Sequence, residues 1–274
     1  MSLTFRLAAI IALAAVSGIA LAQTSAATTP ADPCKPTPEQ ERRNADIQRK
    51  LNDWADLNRY REANATLVSP SADENRVVFM GDSITDSWAL AERASWLPGM
   101  KPFFRGKPYV GRGISGQTTP QMLVRFRPDV LDLKPKVVVI LAGINDIAGN
   151  TGPMPLSATE ENIASMVDLA RANGIRVVLS SVLPASKLPW RPEVTDVVQK
   201  VTALNQWIRD YAAKNDITYL DYYSGMNDGN GGLKLEFAKD AVHPNAAGYD
   251  FMAPLAEAAI QKALKQQVST ASGR

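Results

Sequence analysis

The chain of 274 residues holds one cysteine, Cys34, and one histidine, His243, so it can build neither an internal disulfide nor a Cys/His zinc cluster. An excess of either charge is also missing, with 30 Lys and Arg against 28 Asp and Glu, a formal +2. That balance carries neither the basic footprint of a nucleic-acid partner nor an acidic tail. Sequence repeats are absent, which excludes solenoids and propellers. A composition of 45% hydrophobic and 21% charged residues excludes disordered, collagen-like and multi-span membrane chains. What remains is a globular chain that relies on a packed core, which this length can supply.

The first residues read as an address. Arg6 precedes the apolar run Leu7–Ala22, which ends in the small-x-small pattern Ala20-Leu21-Ala22. The run is shorter than the about 20 residues a membrane span needs, so it predicts a signal peptide over residues 1–22, cleaved between Ala22 and Gln23. A secreted or periplasmic protein without a stable membrane anchor is expected. Cys34 lies well past that point, behind Ala31-Asp32-Pro33, and does not resemble a lipid-modified cysteine. Residues 23–37, rich in Ala, Thr and Pro, read as a flexible linker. Residues 38–266 are expected to fold, including an N-terminal helix, and 267–274 to form a disordered tail.

Over 38–64, Ile47, Leu51, Trp54, Leu57 and Tyr60 recur at three- and four-residue steps. This predicts one amphipathic helix laying an apolar stripe on the core. Beyond it, short runs rich in β-branched residues occur at Arg76–Met80, Tyr109–Gly111, Lys136–Ala142, Ile175–Leu183 and Ile217–Tyr222. Helical patterns lie at Thr119–Leu131, Thr159–Ala172, Glu193–Lys214 and Asn245–Leu264. Continuously apolar strands alternating with helices imply a parallel sheet covered on both faces, an α/β fold built as a three-layer α/β/α sandwich. In such sheets the ligand crevice lies beyond the carboxyl ends of the strands.

Four loops reach that edge. Gly81-Asp82-Ser83 follows the first strand and offers Ser83 as a nucleophile, although the same residues also fit a turn glycine and a helix N-cap. Gly111-Arg112-Gly113 follows the second and makes the Gly113 N–H a candidate oxyanion donor, or simply a turn. Gly143-Ile144-Asn145-Asp146 follows the third, with Asn145 either a donor or a cap. Lys239-Asp240-Ala241-Val242-His243 precedes the last helix. A serine hydroxyl needs a base that titrates near neutral pH, and His243 is the sole histidine. One turn can bring Asp240 against it to fix its tautomer.

These four blocks, in this order, resemble the GDSL esterase/lipase family of SGNH hydrolases: Gly81-Asp82-Ser83, Gly113, Gly143-x-Asn145-Asp146 and Asp240-x-x-His243. Ile144 stands where many members carry Thr. The resemblance implies a flavodoxin-like five-stranded parallel sheet and Ser83, His243 and Asp240 as nucleophile, base and third member. It also implies an oxyanion hole from the Ser83 and Gly113 N–H groups and the Asn145 side chain, and no metal or organic cofactor. Secreted bacterial members similar to platelet-activating-factor acetylhydrolase point to short acyl groups. The expected substrate is therefore an acetyl-type ester on a carbohydrate. Lysophospholipase, thioesterase or acyltransferase chemistry, and a non-catalytic carbohydrate-binding module, are the alternatives. Aromatics for a sugar ring are expected from Asp86–Trp96, from Pro184–Arg191 with Trp190, and from Tyr222–Gly232.

Overall fold

The computed structural model describes residues 35–94 and 97–266; the expected signal peptide 1–22, most of the linker 23–37 with Cys34, Trp96 and the tail 267–274 lie outside them. The chain divides into two compact units, residues 1–45 and 46–274. In the first, Thr37 and Gln40 cap the start of helix α1 (Pro38–Asn52) by exchanging amide and side-chain bonds of 2.7 and 3.2 Å. The features described below belong to the second unit.

Five strands, β1 (Val77–Gly81), β2 (Tyr109–Gly113), β3 (Val137–Leu141), β4 (Arg176–Ser180) and β5 (Thr218–Leu220), form one parallel sheet in the order β2-β1-β3-β4-β5. Its apolar residues divide with the two-residue period of a strand. Val78, Met80, Val138, Ile140, Val177 and Leu179 meet helices α4 (Thr119–Asp129), α6 (Leu156–Ala172) and α7 (Val197–Lys214). Val77, Phe79, Val137, Val139 and Val178 meet α3 (Ser83–Ala94) and α9 (Ala246–Lys265). The three-layer α/β/α sandwich with its flavodoxin-like sheet is therefore present. Short helices α2 (Arg61–Thr66), α5 (Ile144–Ile147) and α8 (Tyr223–Met226) and two 3-10 turns, Leu131–Leu133 and Leu235–Phe237, complete the element order. Strand order reverses beside β1, so the crevice of this fold opens over the carboxyl ends of β1 and β3.

The single helix expected over 38–64 is not formed. Helix α1 ends at Asn52, because the Asp53 carboxylate accepts the amides of Leu57 and Asn58 at 2.8 and 2.9 Å and Asp56 takes a left-handed conformation, φ 52°. The expected core stripe fails with it: Ile47, Leu51, Trp54 and Leu57 are exposed, and of the five residues only Tyr60 is buried. Trp88, expected near a ligand, instead belongs to the core, stacked on Phe103 at 4.5 Å and on Tyr249 at 5.5 Å.

One buried cation ties the sheet edge together. Arg125, fully buried on α4, donates to the carbonyls of Gly81 (3.0 Å) and Arg112 (2.8 Å), to the Gln117 side-chain oxygen, and to Asp129 at 3.0 Å. Desolvation lowers its pKa, and Asp129 opposes that shift. Removing one partner of such a pair leaves an uncompensated charge and orphaned carbonyls. Arg125→Met is expected to lose about 3–5 kcal/mol of stability, read by denaturant unfolding. A loss under about 1 kcal/mol would show that the edge holds without it.

Candidate active site

Ser83 is the first residue of α3, directly past the carboxyl end of β1, where the helix start presents its unpaired amides. Its Oγ lies 2.9 Å from His243 Nε2. The imidazole Nδ1 faces both Asp240 oxygens, at 3.0 and 2.9 Å. That carboxylate also accepts the amides of Val242 and His243, each at 2.8 Å, so the short loop fixes its own acid. With Nδ1–H directed at a carboxylate, Nε2 is left to accept the Ser83 proton. Burial pushes the Asp240 carboxyl up, but the His243 and Val242 amides and the imidazole outweigh it and hold it below the ordinary value.

Asn145 lies on α5, just after β3, and Gly143 makes that turn possible. Gly143 has φ +126°, and a Cβ there would come to 2.5 Å from Leu204. The amide orientation of Asn145 is fixed from two sides: its Nδ2 donates to Gln117 O at 3.1 Å, and its Oδ1 accepts from Asn150 Nδ2 at 2.8 Å. Trp190 Nε1 in turn donates to Asn150 Oδ1 at 3.1 Å. Gly113 sits against the α3 turn, where a Cβ would come to 2.7 Å from Asp82 O and closer still to the Asp86 amide. Its carbonyl accepts the Tyr60 hydroxyl.

Ser83, Asn145, Asp240 and His243 all line a cleft of about 430 Å3, whose other walls include Ser115, Gly116, Asn150, Trp190 and Tyr249. From the loop after β2 it is Ser115 and Gly116 that reach the cleft wall, with Gly113 behind the serine turn. Sequence reading missed Asn150 and Gln117, whose roles depend on partners distant along the chain. A relay of hydroxyl, imidazole and carboxylate beside a fixed amide can deprotonate an alcohol and receive developing negative charge.

Asp82, next to the serine, is fully buried. Its Oδ1 accepts the Ile84 amide at 3.0 Å, while Oδ2 has no partner among the described residues. Burial pushes this carboxyl up to about 6, against the Ile84 amide and the nearby imidazole. The folded state therefore binds this proton more tightly than the unfolded chain, and stability falls as pH rises from about 4 to about 6. Above that range the cost is on the order of 3 kcal/mol. Asp82→Asn should be more stable than the parent at pH 8, with the difference closing by about pH 4. Denaturant unfolding at both values checks this, and a pH-independent difference would assign the effect to something other than titration.

The profile of the GDSL-like Lipase/Acylhydrolase family matches residues 79–251, well over half the chain. A crystal structure of a GDSL-like lipase from Bacteroides thetaiotaomicron is 47% identical, covering 76% of this chain and 98% of that one with a TM-score of 0.72. The uncharacterized lipoprotein YqeF of Bacillus subtilis is 34% identical over 117 residues, 39% of this chain and 48% of that protein. An acetylxylan esterase of Xylanibacter ruminicola is 25% identical over 225 residues, 72% of this chain and 45% of the esterase. The chain thus spans about half the length of these two curated relatives.

Proposed function

Because the chain belongs to the GDSL-like lipase/acylhydrolase family, we propose that it is an exported serine esterase that removes short acyl groups, acetyl above all, from carbohydrate hydroxyls. The observation that carries this reading is the unbroken chain from Ser83 Oγ through His243 to Asp240 at the floor of an open cleft.

Ser83 Oγ attacks the ester carbonyl carbon as its proton passes to His243 Nε2, and the imidazolium is stabilised by Asp240. The Ser83 N–H and the second N–H of Asn145 receive the oxyanion, and a third donor comes from Gly116, which lines the cleft, rather than from the expected Gly113, which ends β2 behind the serine turn. Collapse breaks the bond to the alcohol oxygen, which leaves with the proton from Nε2. Water then attacks the acyl-Ser83, giving a proton to Nε2; that proton returns to Oγ as the carboxylic acid departs. All of these groups belong to the chain itself.

Short acyl groups suit the cleft because, apart from Trp190, Pro244 and Tyr249, its walls are small or polar residues such as Ser87, Ser115, Gly116 and Lys239, with no run of aliphatic side chains to sheathe a long chain. A carbohydrate alcohol is favoured by the exposed Trp190 at the rim and by the likeness to an acetylxylan esterase. Export is favoured by the leader pattern of residues 1–22. Among the described residues, no helix is long and apolar enough to cross a membrane. A polysaccharide ester, and no nucleic acid, is the partner this reading implies.

The test is release of nitrophenol from 4-nitrophenyl acetate, butyrate and longer esters. Turnover should peak at acetate or butyrate and fall by a factor on the order of 10^4 or more in Ser83→Ala. A peak at long chains would transfer the reading to lysophospholipid or thioester substrates, and absence of turnover would leave a binding module. Asn150→Ala frees the Asn145 amide to rotate, so kcat should drop about tenfold with KM little changed, against about 10^2–10^3 for Asn145→Ala. Equal losses in KM and none in kcat would remove Asn150 from the oxyanion assembly.

A further inference from the structure

A second cleft of about 440 Å3 opens off the first, sharing Ser115, Gly116, Asn150 and Trp190 with it and reaching Trp54 at its other side. We propose that this second cleft is a subsite for the alcohol part of the substrate, holding a neutral sugar chain across the indoles of Trp190 and Trp54. The proposal rests on the esterase reading above and extends it to substrate size and charge.

Direction comes from the chemistry. The departing alcohol collects its proton from His243 Nε2, so it must leave at the imidazole edge. The Trp190 ring lies 6.4 Å from that imidazole, and the second cleft begins at Trp190. An acyl group has no reason to lie there, whereas the sugar that carried it does.

The two indoles are 41% and 44% exposed, Trp190 and Trp54 respectively. One exposed tryptophan needs no explanation, but two on the walls of one cleft, joined to a nucleophile, form a platform for the apolar face of a pyranose. The backbone that carries Trp54 and the indole of Trp190 are held in place. Gln121 Nε2 donates to Trp54 O at 2.6 Å, and Gln117 Nε2 donates to the neighbouring Ala55 O at 2.8 Å. Trp190 is fixed by its bond to Asn150, and Arg191 by a bond to Gly149 O at 3.0 Å. Such a surface loses little freedom when it binds.

Charge narrows the ligand. The cations of the cleft are each already paired: Arg49 with Asp46 and Asp56, Lys50 with Asp46 at 2.8 Å, and Arg191 with Glu193 at 2.7 Å. Balanced pairs offer hydrogen bonds to hydroxyls without a net field that would draw a polyanion. Neutral pyranoses fit this lining better than uronates or phosphates.

The experiment compares the full chain with Trp54→Ala and Trp54→Phe on 4-nitrophenyl acetate, an acetylated methyl xyloside and acetylated xylotetraose. The parent should prefer the tetrasaccharide to the monosaccharide. Trp54→Ala should lose about tenfold more in kcat/KM on the tetrasaccharide than on 4-nitrophenyl acetate, chiefly through KM, with Trp54→Phe recovering part of it. Unacetylated xylotetraose should compete with the parent and compete less with Trp54→Ala. Equal losses on all three substrates, or no preference for the longer sugar, would overturn the subsite while leaving the esterase reading intact. Turnover of 4-nitrophenyl acetate with none of either sugar ester would overturn the carbohydrate reading and the subsite with it.

Discussion

The guanidinium of Arg125 is the constraint on which the site geometry depends. It gathers the last carbonyl of β1, a carbonyl of β2 and the side chain of Gln117 around one buried charge, itself neutralised by Asp129. Gln117 then extends the network. Its main-chain oxygen accepts the Asn145 amide, and its side-chain nitrogen reaches Ala55 O. The strand that delivers Ser83, the loop that follows Gly113 and the amide of Asn145 are thereby referred to a single point. A lysine could not substitute, because the fork of donors, not the charge alone, spans these acceptors.

Around that frame the two carboxylates near Ser83 are treated in opposite ways. Asp240 lies on a partly exposed loop and is held ionised by amides of its own turn. Asp82 lies in the interior with one oxygen that finds no partner among the described residues, and its ionisation costs stability. Keeping the acid that steadies the imidazole close to water, and fixing it by backbone amides, avoids the penalty that Asp82 incurs.

The sheet and its strand-end loops were legible in the sequence because a strand buried on both faces writes a continuous apolar run, and parallel connection puts the following loops at one edge. The blocks of Ser83, Asn145 and Asp240-His243 were legible because each follows a strand or precedes the last helix, whereas the second was read too early: Gly113 ends β2, and Gly116 reaches the cleft. What misled was periodicity without context. The spacing of Ile47, Leu51 and Trp54 is that of a buried stripe, yet a side-chain bond from Asp53 ends the helix and turns Trp54 toward a cleft. Trp88, nearer the serine in sequence, went to the core instead. Arg125 had left a trace: it shares a helix face with Met122, Phe126 and Asp129, and a charged pair inside an apolar stripe signals a buried ion pair. Asn150 left none, because its partners come from the loops at Gly116 and Trp190.

The contact between Ser83 and His243 joins residues 160 apart in sequence. All five strands, the helices on one face of the sheet and the serine itself are synthesised before the histidine that serves it. A nascent chain ending after β5 therefore carries the serine without the imidazole, and lacks the helix α9 that covers one face of its sheet. The Ser83–His243 contact forms only when the loop ahead of α9 docks, so under the proposed esterase reading activity would report that long-range closure and not the formation of the sheet.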